Sequence, residues 1–496
     1  AYSVSTLRAR LLSRTVGAVL VESVTHPCVG SFGGQRWNPL RCRVRCSIPM
    51  PSDKTSPALP LSTKALRTPE QPISYLISVV MRNPGLINFA AGLVDPLTLP
   101  VEECGVITRK IFSDTGRGRA ALQYDTTIGL KELREAALRH IESLEGKSAA
   151  EMALSPDHVV VTTGSQQSLY LVGDVLLNPG DIVIAAQPSY FVYTGALASL
   201  GATVLTVPMD DEGMDVEAVA ALLAKLQSEG RLARVKFVYC TSYFQNPTGL
   251  TLSLARRPRL LEIVKQFSRS HRITILEDAA YRELRYDGDA LPSIKSFDTQ
   301  NQFVALSHTF SKPFAPGLKL GYTAMPGDLA EAVLHQKGNH DFGSASLAQH
   351  IALESLQDTS YFSHVARLRR SYREKRDAML AALDRFMPTD AGISWTRAHG
   401  GLYVWMTLPK HADTSRSGTM FDAALEAGVV YVPGDYCSQP GADGQLPRNQ
   451  LRLSFGQVAI ERIEPGIELL AGVIRRHLEG RPVQGARPAS AAGAAR

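Results

Sequence analysis

Between about residue 155 and residue 325, seven short runs rich in β-branched residues recur along the chain: "HVVVTTG", "DIVIAAQ", "TVLTVPM", "VKFVYCTS", "ITILEDAA", "FVALSHTF" and "LGYTAMP". Amphipathic helical patterns such as "LLEIVKQFSRS" lie between them. A strand that is apolar along its whole length must be covered on both faces, so the alternation predicts an α/β core with a mainly parallel sheet between helices. Ligands of such sheets bind beyond the carboxyl ends of the strands. The polar residues that follow each run are therefore the first places to look for chemistry.

After "SLAQHIALESLQD" comes a long charge-laced helical stretch, "YFSHVARLRRSYREKRDAMLAALDRFM", then "GISWTRAHGGLYVWMTLP", a helix, "GVVYVPG" and "LRLSFG". That succession predicts a connector and a smaller α+β domain. The chain of 496 residues has a formal net charge of +6, but residues 1–52, with seven arginines and the single acid Glu22, carry all of it. The remainder is formally neutral, which removes the compositional case for a nucleic-acid partner. No apolar run is long enough for a transmembrane helix, so no membrane partner is expected. The basic segment holds Cys28, Cys42 and Cys46 and suits either a transit peptide or a start-site overextension ahead of Met50. Cys104, Cys240 and Cys437 are scattered, and "CRVRC" has no second ligand pair, so neither disulfides nor a metal site is expected. The last stretch, "RPVQGARPASAAGAAR", has the composition of a disordered tail.

The strand ends repay reading in order. "VTTGSQQSLYLV" sets Gly164, Ser165 and Gln166 where a strand hands over to a helix, which suits a phosphate but equally suits a plain cap. "QPSYFVY" offers Tyr190, able to lie flat on a planar ligand or simply to pack. In "SYFQNPTG", Asn246 before Pro247 marks a turn whose proline can be cis, and its amide can donate to a ring oxygen. "ILEDAAYREL" delivers Glu277 and Asp278 to a strand end, with Tyr281 close behind. One of those acids can keep a heteroaromatic nitrogen protonated, or can merely cap a helix. Lys312, in "SHTFSKPFAPGLKLGY", is a carbonyl nucleophile if its amine is neutral and a surface charge otherwise. Phosphate cup, aromatic plate, amide, acid, phenol and amine at successive ends of one sheet describe a single ligand.

Together with "INFAAG", "ALQYDTTIGLKELREA", "HGGLYVW" and "NQLRLSFG", these motifs run in order over roughly residues 70 to 478. The series resembles the class I/II aminotransferases, pyridoxal-phosphate enzymes of fold type I, and is most similar to the 2-aminoadipate/kynurenine aminotransferase branch. The resemblance implies a large domain with a mainly parallel seven-stranded sheet between helices, plus a smaller α+β domain. It divides the chain into an extension (1–69), a segment serving the small domain and substrate site (70–115), a large cofactor domain (116–350), a small domain (351–478) and a tail (479–496). It further implies pyridoxal 5'-phosphate as cofactor, an L-amino acid and a 2-oxo acid, with 2-oxoglutarate as acceptor, as ping-pong substrates, and a homodimer with shared active sites.

Carried over residue by residue, the resemblance makes Lys312 the Schiff-base lysine and proton shuttle, and Asp278 the partner of the pyridinium nitrogen. Asn246 and Tyr281 would meet the ring oxygen, Tyr190 would stack on the ring, and Ser165, Gln166, Thr309, Ser311 and Lys319 would hold the phosphate. Tyr124 would reach the phosphate of the neighbouring subunit. Arg452 would grip the substrate α-carboxylate, with Asn246 beside it and Gly92 permitting close approach. Lys319 and Ser74 stand where the resemblance leads one to expect arginines, and "GLVDPLTLP" replaces the usual substrate-side loop. Lyases and decarboxylases share the same residues. A transcription regulator on this body would need a DNA-binding head, and the residues ahead of the resemblance lack paired amphipathic helices. The expected compartment is the cytoplasm, or an organelle if residues 1–49 are a transit peptide.

Overall fold

All seven runs join one sheet. The strands are β1 (Val159–Thr162), β2 (Ile182–Ala186), β3 (Thr203–Val207), β4 (Val235–Thr241), β5 (Thr274–Asp278), β6 (Val304–Thr309) and β7 (Gly321–Ala324), in the spatial order β1-β7-β6-β5-β4-β2-β3. β7 runs antiparallel to both neighbours, and the other pairs are parallel. Successive side chains of a strand point to opposite faces, and here both faces are covered. Ile182, Ile184, Val238 and Ile275 enter one apolar cluster, while Val183, Ala185, Phe237 and Leu276 enter another. This is why the runs show no polar alternation. The fold is the expected α/β architecture.

The computed structural model describes residues 59–441 and 444–480. The described residues from Leu61 onward belong to one compact unit, whereas of the unit Ala1–Pro60 only Leu59 and Pro60 are described, both exposed. The expectations for a transit peptide or overextension, for Cys28, Cys42 and Cys46, and for the tail beyond residue 480 lie outside the described residues.

Helix α1 (Gly164–Leu176) follows β1 directly, and α2 (Phe191–Leu200) follows β2. The charge-laced stretch forms α3 (Ser360–Phe386), whose Met379 and Leu383 share a core with Ile463, Ile467 and Leu470 of α4 (Ile460–Leu478). Between these helices lies a four-stranded antiparallel sheet of β8 (Ser394–Trp395), β9 (Tyr403–Thr407), β10 (Val432–Pro433) and β11 (Gln450–Ser454), in the order β8-β9-β11-β10. Far upstream, Ile87–Asn88 pairs in parallel with Val429–Val430, and Phe89 O accepts from Ser454 N–H at 2.8 Å. Those bonds carry Ala90–Gly92 to the edge of the site. Among the described residues no helix is long and apolar enough to cross a membrane.

Candidate active site

A cavity of about 290 Å³ opens where β1, β4, β5 and β6 end. Ser165, Gln166, Tyr190, Asn246, Asp278, Tyr281, Thr309, Ser311, Lys312 and Lys319 all line it. A smaller cavity of about 130 Å³ adjoins it, shares Tyr190, Asn246, Tyr281 and Lys312, and adds Gly92, Tyr403 and Arg452. Tyr124 lines neither: it is 83% exposed, with its ring edge-on to Phe342 at 5.7 Å.

One end of the larger cavity is built for an anion. Gly164 opens α1 at φ +75°, a left-handed conformation that costs glycine little, and the turn sets the helix N-terminus at the cavity wall. The Thr309 and Ser311 hydroxyls lie 2.9 Å apart beside it. Lys319, exposed and also left-handed at φ +49°, adds a point charge where a guanidinium would make a fork.

The opposite wall carries an acid. Asp278 is 5% exposed; its Oδ2 accepts from Tyr239 OH at 2.9 Å and its Oδ1 from Ala280 N–H at 3.2 Å. Burial pushes its carboxyl up to about 6 in spite of those two bonds. A buried carboxylate without a cation is costly, so this one suits a protonated ring nitrogen. Glu277 points to the other face of the sheet, where it accepts from Ser242 Oγ at 2.6 Å and from the Ile294 and Lys295 N–H groups at 3.0 Å. Of the two candidate acids, Asp278 is therefore the one at the cavity.

Between these ends sit the amide, the phenol and the amine. Asn246, followed by a cis Pro247, accepts at Oδ1 from Arg452 Nη1 at 2.7 Å, which leaves its NH₂ as the end that can donate to a ligand. Tyr281 OH lies 2.9 Å from Tyr403 OH. Lys312 Nζ donates to Gly92 O at 2.7 Å and stands 5.8 Å from the Tyr281 ring centroid. Burial lowers its pKa; Tyr403 opposes that, while Arg452 and Lys319 add to it. The result is a larger fraction of neutral, nucleophilic amine.

Arg452 is 1% exposed, with Nη2 donating to Ala90 O at 2.6 Å. Its Nε is shielded from water and finds no partner among the described residues, an orphaned donor that a substrate carboxylate would satisfy. Gly92 is required by close approach, since a Cβ there would stand 2.5 Å from Tyr403 OH. The sequence reading missed Tyr403, although it lies within "HGGLYVW", and Tyr239, which lies inside a strand rather than after it. It also missed Ile73, Ile77, Phe191 and Val192, which wall the smaller cavity. Ser74, which follows Ile73, is exposed.

The family described as aminotransferase class I and II matches residues 85–470. Aromatic-amino-acid aminotransferase 1 of Thermococcus litoralis is 35% identical over 418 residues, covering 84% of this chain and 94% of that protein. The crystal structure of a Pyrococcus horikoshii kynurenine aminotransferase in complex with PMP, 34% identical, matches with a TM-score of 0.76 over 84% of this chain and 97% of its own. An alpha-aminoadipate aminotransferase from Thermus thermophilus, complexed with N-(5'-phosphopyridoxyl)-L-leucine and 33% identical, matches with a TM-score of 0.71 over 84% and 98%. Matched over most of its length by proteins that transfer amino groups, the chain belongs to the class I and II aminotransferases and is a pyridoxal-phosphate-dependent transaminase of fold type I.

Proposed function

We propose that the amino donor is an L-amino acid with an apolar or aromatic side chain, that 2-oxoglutarate accepts the amino group, and that two copies of the chain share the two sites. The composition of the smaller cavity carries this reading. Its cationic side chains are Lys312 and Arg452, and Ile73, Ile77, Leu93, Phe191 and Val192 wall much of the rest. A second carboxylate buried there would lack a counter-charge, which is costly. The distal carboxylate of 2-oxoglutarate would accordingly stay toward the exposed Leu93 and water. Residues 116–350 would form the large cofactor domain and 351–478 the small one, with 70–115 serving the latter and the substrate site; the cytoplasm is the proposed compartment.

When bound, pyridoxal phosphate supplies an electron sink that acidifies the Cα–H of the amino acid. The remaining work falls to this chain. Ser165, Gln166, Thr309, Ser311 and Lys319 would hold the phosphate. Asp278 would keep a proton on the ring nitrogen, Asn246 Nδ2 and Tyr281 OH would donate to the ring oxygen, and Tyr190 would cover the ring. Arg452 would anchor the α-carboxylate by a planar pair of hydrogen bonds. Lys312 Nζ would take the Cα proton and later release it, passing from amine to ammonium and back.

A plate of the twenty amino acids plus kynurenine and 2-aminoadipate against 2-oxoglutarate tests the donor. Phenylalanine, tyrosine or leucine should exceed 2-aminoadipate in kcat/KM by at least about tenfold, because an apolar side chain buries itself against Ile73, Ile77, Phe191 and Val192 while a carboxylate kept toward water leaves that wall uncovered. The reverse order would contradict the reading.

The dimer rests on Tyr124 and on exposed Leu97, Val101 and Leu122, large apolar side chains of the kind that interfaces cover. Tyr124→Phe should weaken pyridoxal phosphate binding about tenfold, the loss of one charge-assisted hydrogen bond, while sedimentation still reports a dimer. Unchanged affinity would remove Tyr124 from the partner's site.

A further inference from the structure

Three chain segments that wall the transamination site also wall a second cavity of about 430 Å³. The loop that gives Asn246 to the site gives Phe244 and Leu250 to this cavity; the turn that gives Tyr281 gives Arg282 and Arg285; the stretch before Tyr403 gives Arg397 and His399. No residue lines both this cavity and either part of the site. Its volume lies within the range of small-molecule pockets.

Not all the charges inside are paired. Arg282 pairs with buried Glu145, Arg397 pairs with Asp384 at 2.5 Å, and Asp287 is taken by Arg376 at 2.6 Å. Arg285 and Arg369 meet no carboxylate within ion-pair distance among the described residues: the first donates to Gly288 O, the second through Nε to Glu283 O at 2.6 Å. Burial lowers the pKa of Arg369, Glu283 counters this, and the like charge of Arg285 adds to it. Asp211 and Asp289 also line the cavity, but both are exposed residues.

The apolar part comes from Leu144, Phe244, Leu250, Ala290 and Leu291, whereas the Tyr243 ring lies under the guanidinium groups of Arg257 and Arg282, 4.2 and 4.9 Å from its centroid. Ser253 Oγ, also in the lining, is shielded and finds no hydrogen-bond partner among the described residues. Phe244 holds φ +43°, a left-handed conformation that strains a bulky residue. Its ring packs closely on Gly400, where a Cβ would stand 2.7 Å from it, so it bears directly on the segment leading to Tyr403.

We propose that this cavity binds a small carboxylate with an apolar body, its carboxylate on Arg285 and Arg369 and its body against Phe244, Leu250 and Leu291, and that occupancy is transmitted to the donor site through the three shared segments. Paired guanidinium donors suit a carboxylate. The ligand would join Arg369 of α3 and the segment ahead of β9 to the loops that follow β4 and β5, so it adjusts how the substrate walls meet.

Calorimetric titration of the holoenzyme with phenylacetate tests this. Saturable binding is expected, weakened about tenfold or more by Arg285→Leu, the loss of one charge-assisted hydrogen bond. Ala290→Trp, which fills the cavity from an exposed position, should abolish binding while leaving amine transfer without phenylacetate unchanged. Saturating phenylacetate should change kcat of the unmodified enzyme at saturating donor and not that of Ala290→Trp, a readout that competition in the substrate cavity does not move. Absence of saturable binding overturns the proposal, as does binding that survives Ala290→Trp but is lost in Arg452→Leu, which would place the ligand in the substrate cavity. Inorganic phosphate binding as tightly as phenylacetate would contradict the apolar body. Because binding is read directly, failure here leaves the proposed amino donor untouched.

Discussion

Lys312→Ala is expected to lower the rate of amine transfer by at least about 10⁴-fold, the scale of losing a proton-transfer group and a nucleophile together. The substitution removes a half-buried amine whose one hydrogen bond goes to Gly92 O, and it leaves no carboxylate unpaired, so the fold should survive. Borohydride reduction of the holoenzyme followed by peptide mass analysis separates chemistry from stability. In the unmodified protein the peptide holding Lys312 should carry the mass of the cofactor; in the variant no peptide should. A label on Lys319 in the unmodified protein would mean that the wrong lysine of this loop has been assigned.

Arg452 should show the second-largest effect. Removing one partner of a buried, hydrogen-bonded charge pair costs about 2–5 kcal/mol, so Arg452→Leu should lower kcat/KM roughly 30- to 4000-fold for amino and 2-oxo acids alike. Part of that cost is structural, because Asn246 Oδ1 and Ala90 O both lose a donor. Arg452→Lys serves as the control: it keeps the charge but not the fork, and should fall between the two, with KM raised for both substrates. Should affinity for pyridoxal phosphate fall while both KM values stay fixed, Arg452 would act by orienting Asn246 rather than by holding substrate.

Much of the sheet and its ligand-bearing ends could be read from residue order alone. Strands such as Ile182–Ala186 carry β-branched residues on both faces, and their polar followers are local in sequence, so Lys312, Asp278 and Asn246 stand out. Contacts that join distant segments left no such mark. Tyr239 supports Asp278 from within a strand of mostly apolar side chains, and Tyr403 reaches Tyr281 from another sheet. The two-residue pairing of Ile87–Asn88 with Val429–Val430 is too short to produce a periodic signal, yet it delivers Gly92 to Lys312. Gly92 is expected from the sequence to permit close approach to the substrate, and its lack of a side chain also makes room for Tyr403. The apolar wall of Ile73, Ile77 and Phe191 is hidden for the same reason: two helices more than a hundred residues apart must meet before it exists.

This chain is proposed to take an amino group from an apolar L-amino acid and to keep it for an acceptor. The most direct test is a half-reaction: holoenzyme mixed with L-phenylalanine or L-leucine and no 2-oxo acid, with products quantified. The expected result is one equivalent of the corresponding 2-oxo acid per subunit and then a halt, with turnover resuming when 2-oxoglutarate is added. Release of carbon dioxide or ammonia in place of a 2-oxo acid, or continued turnover without an acceptor, would contradict it.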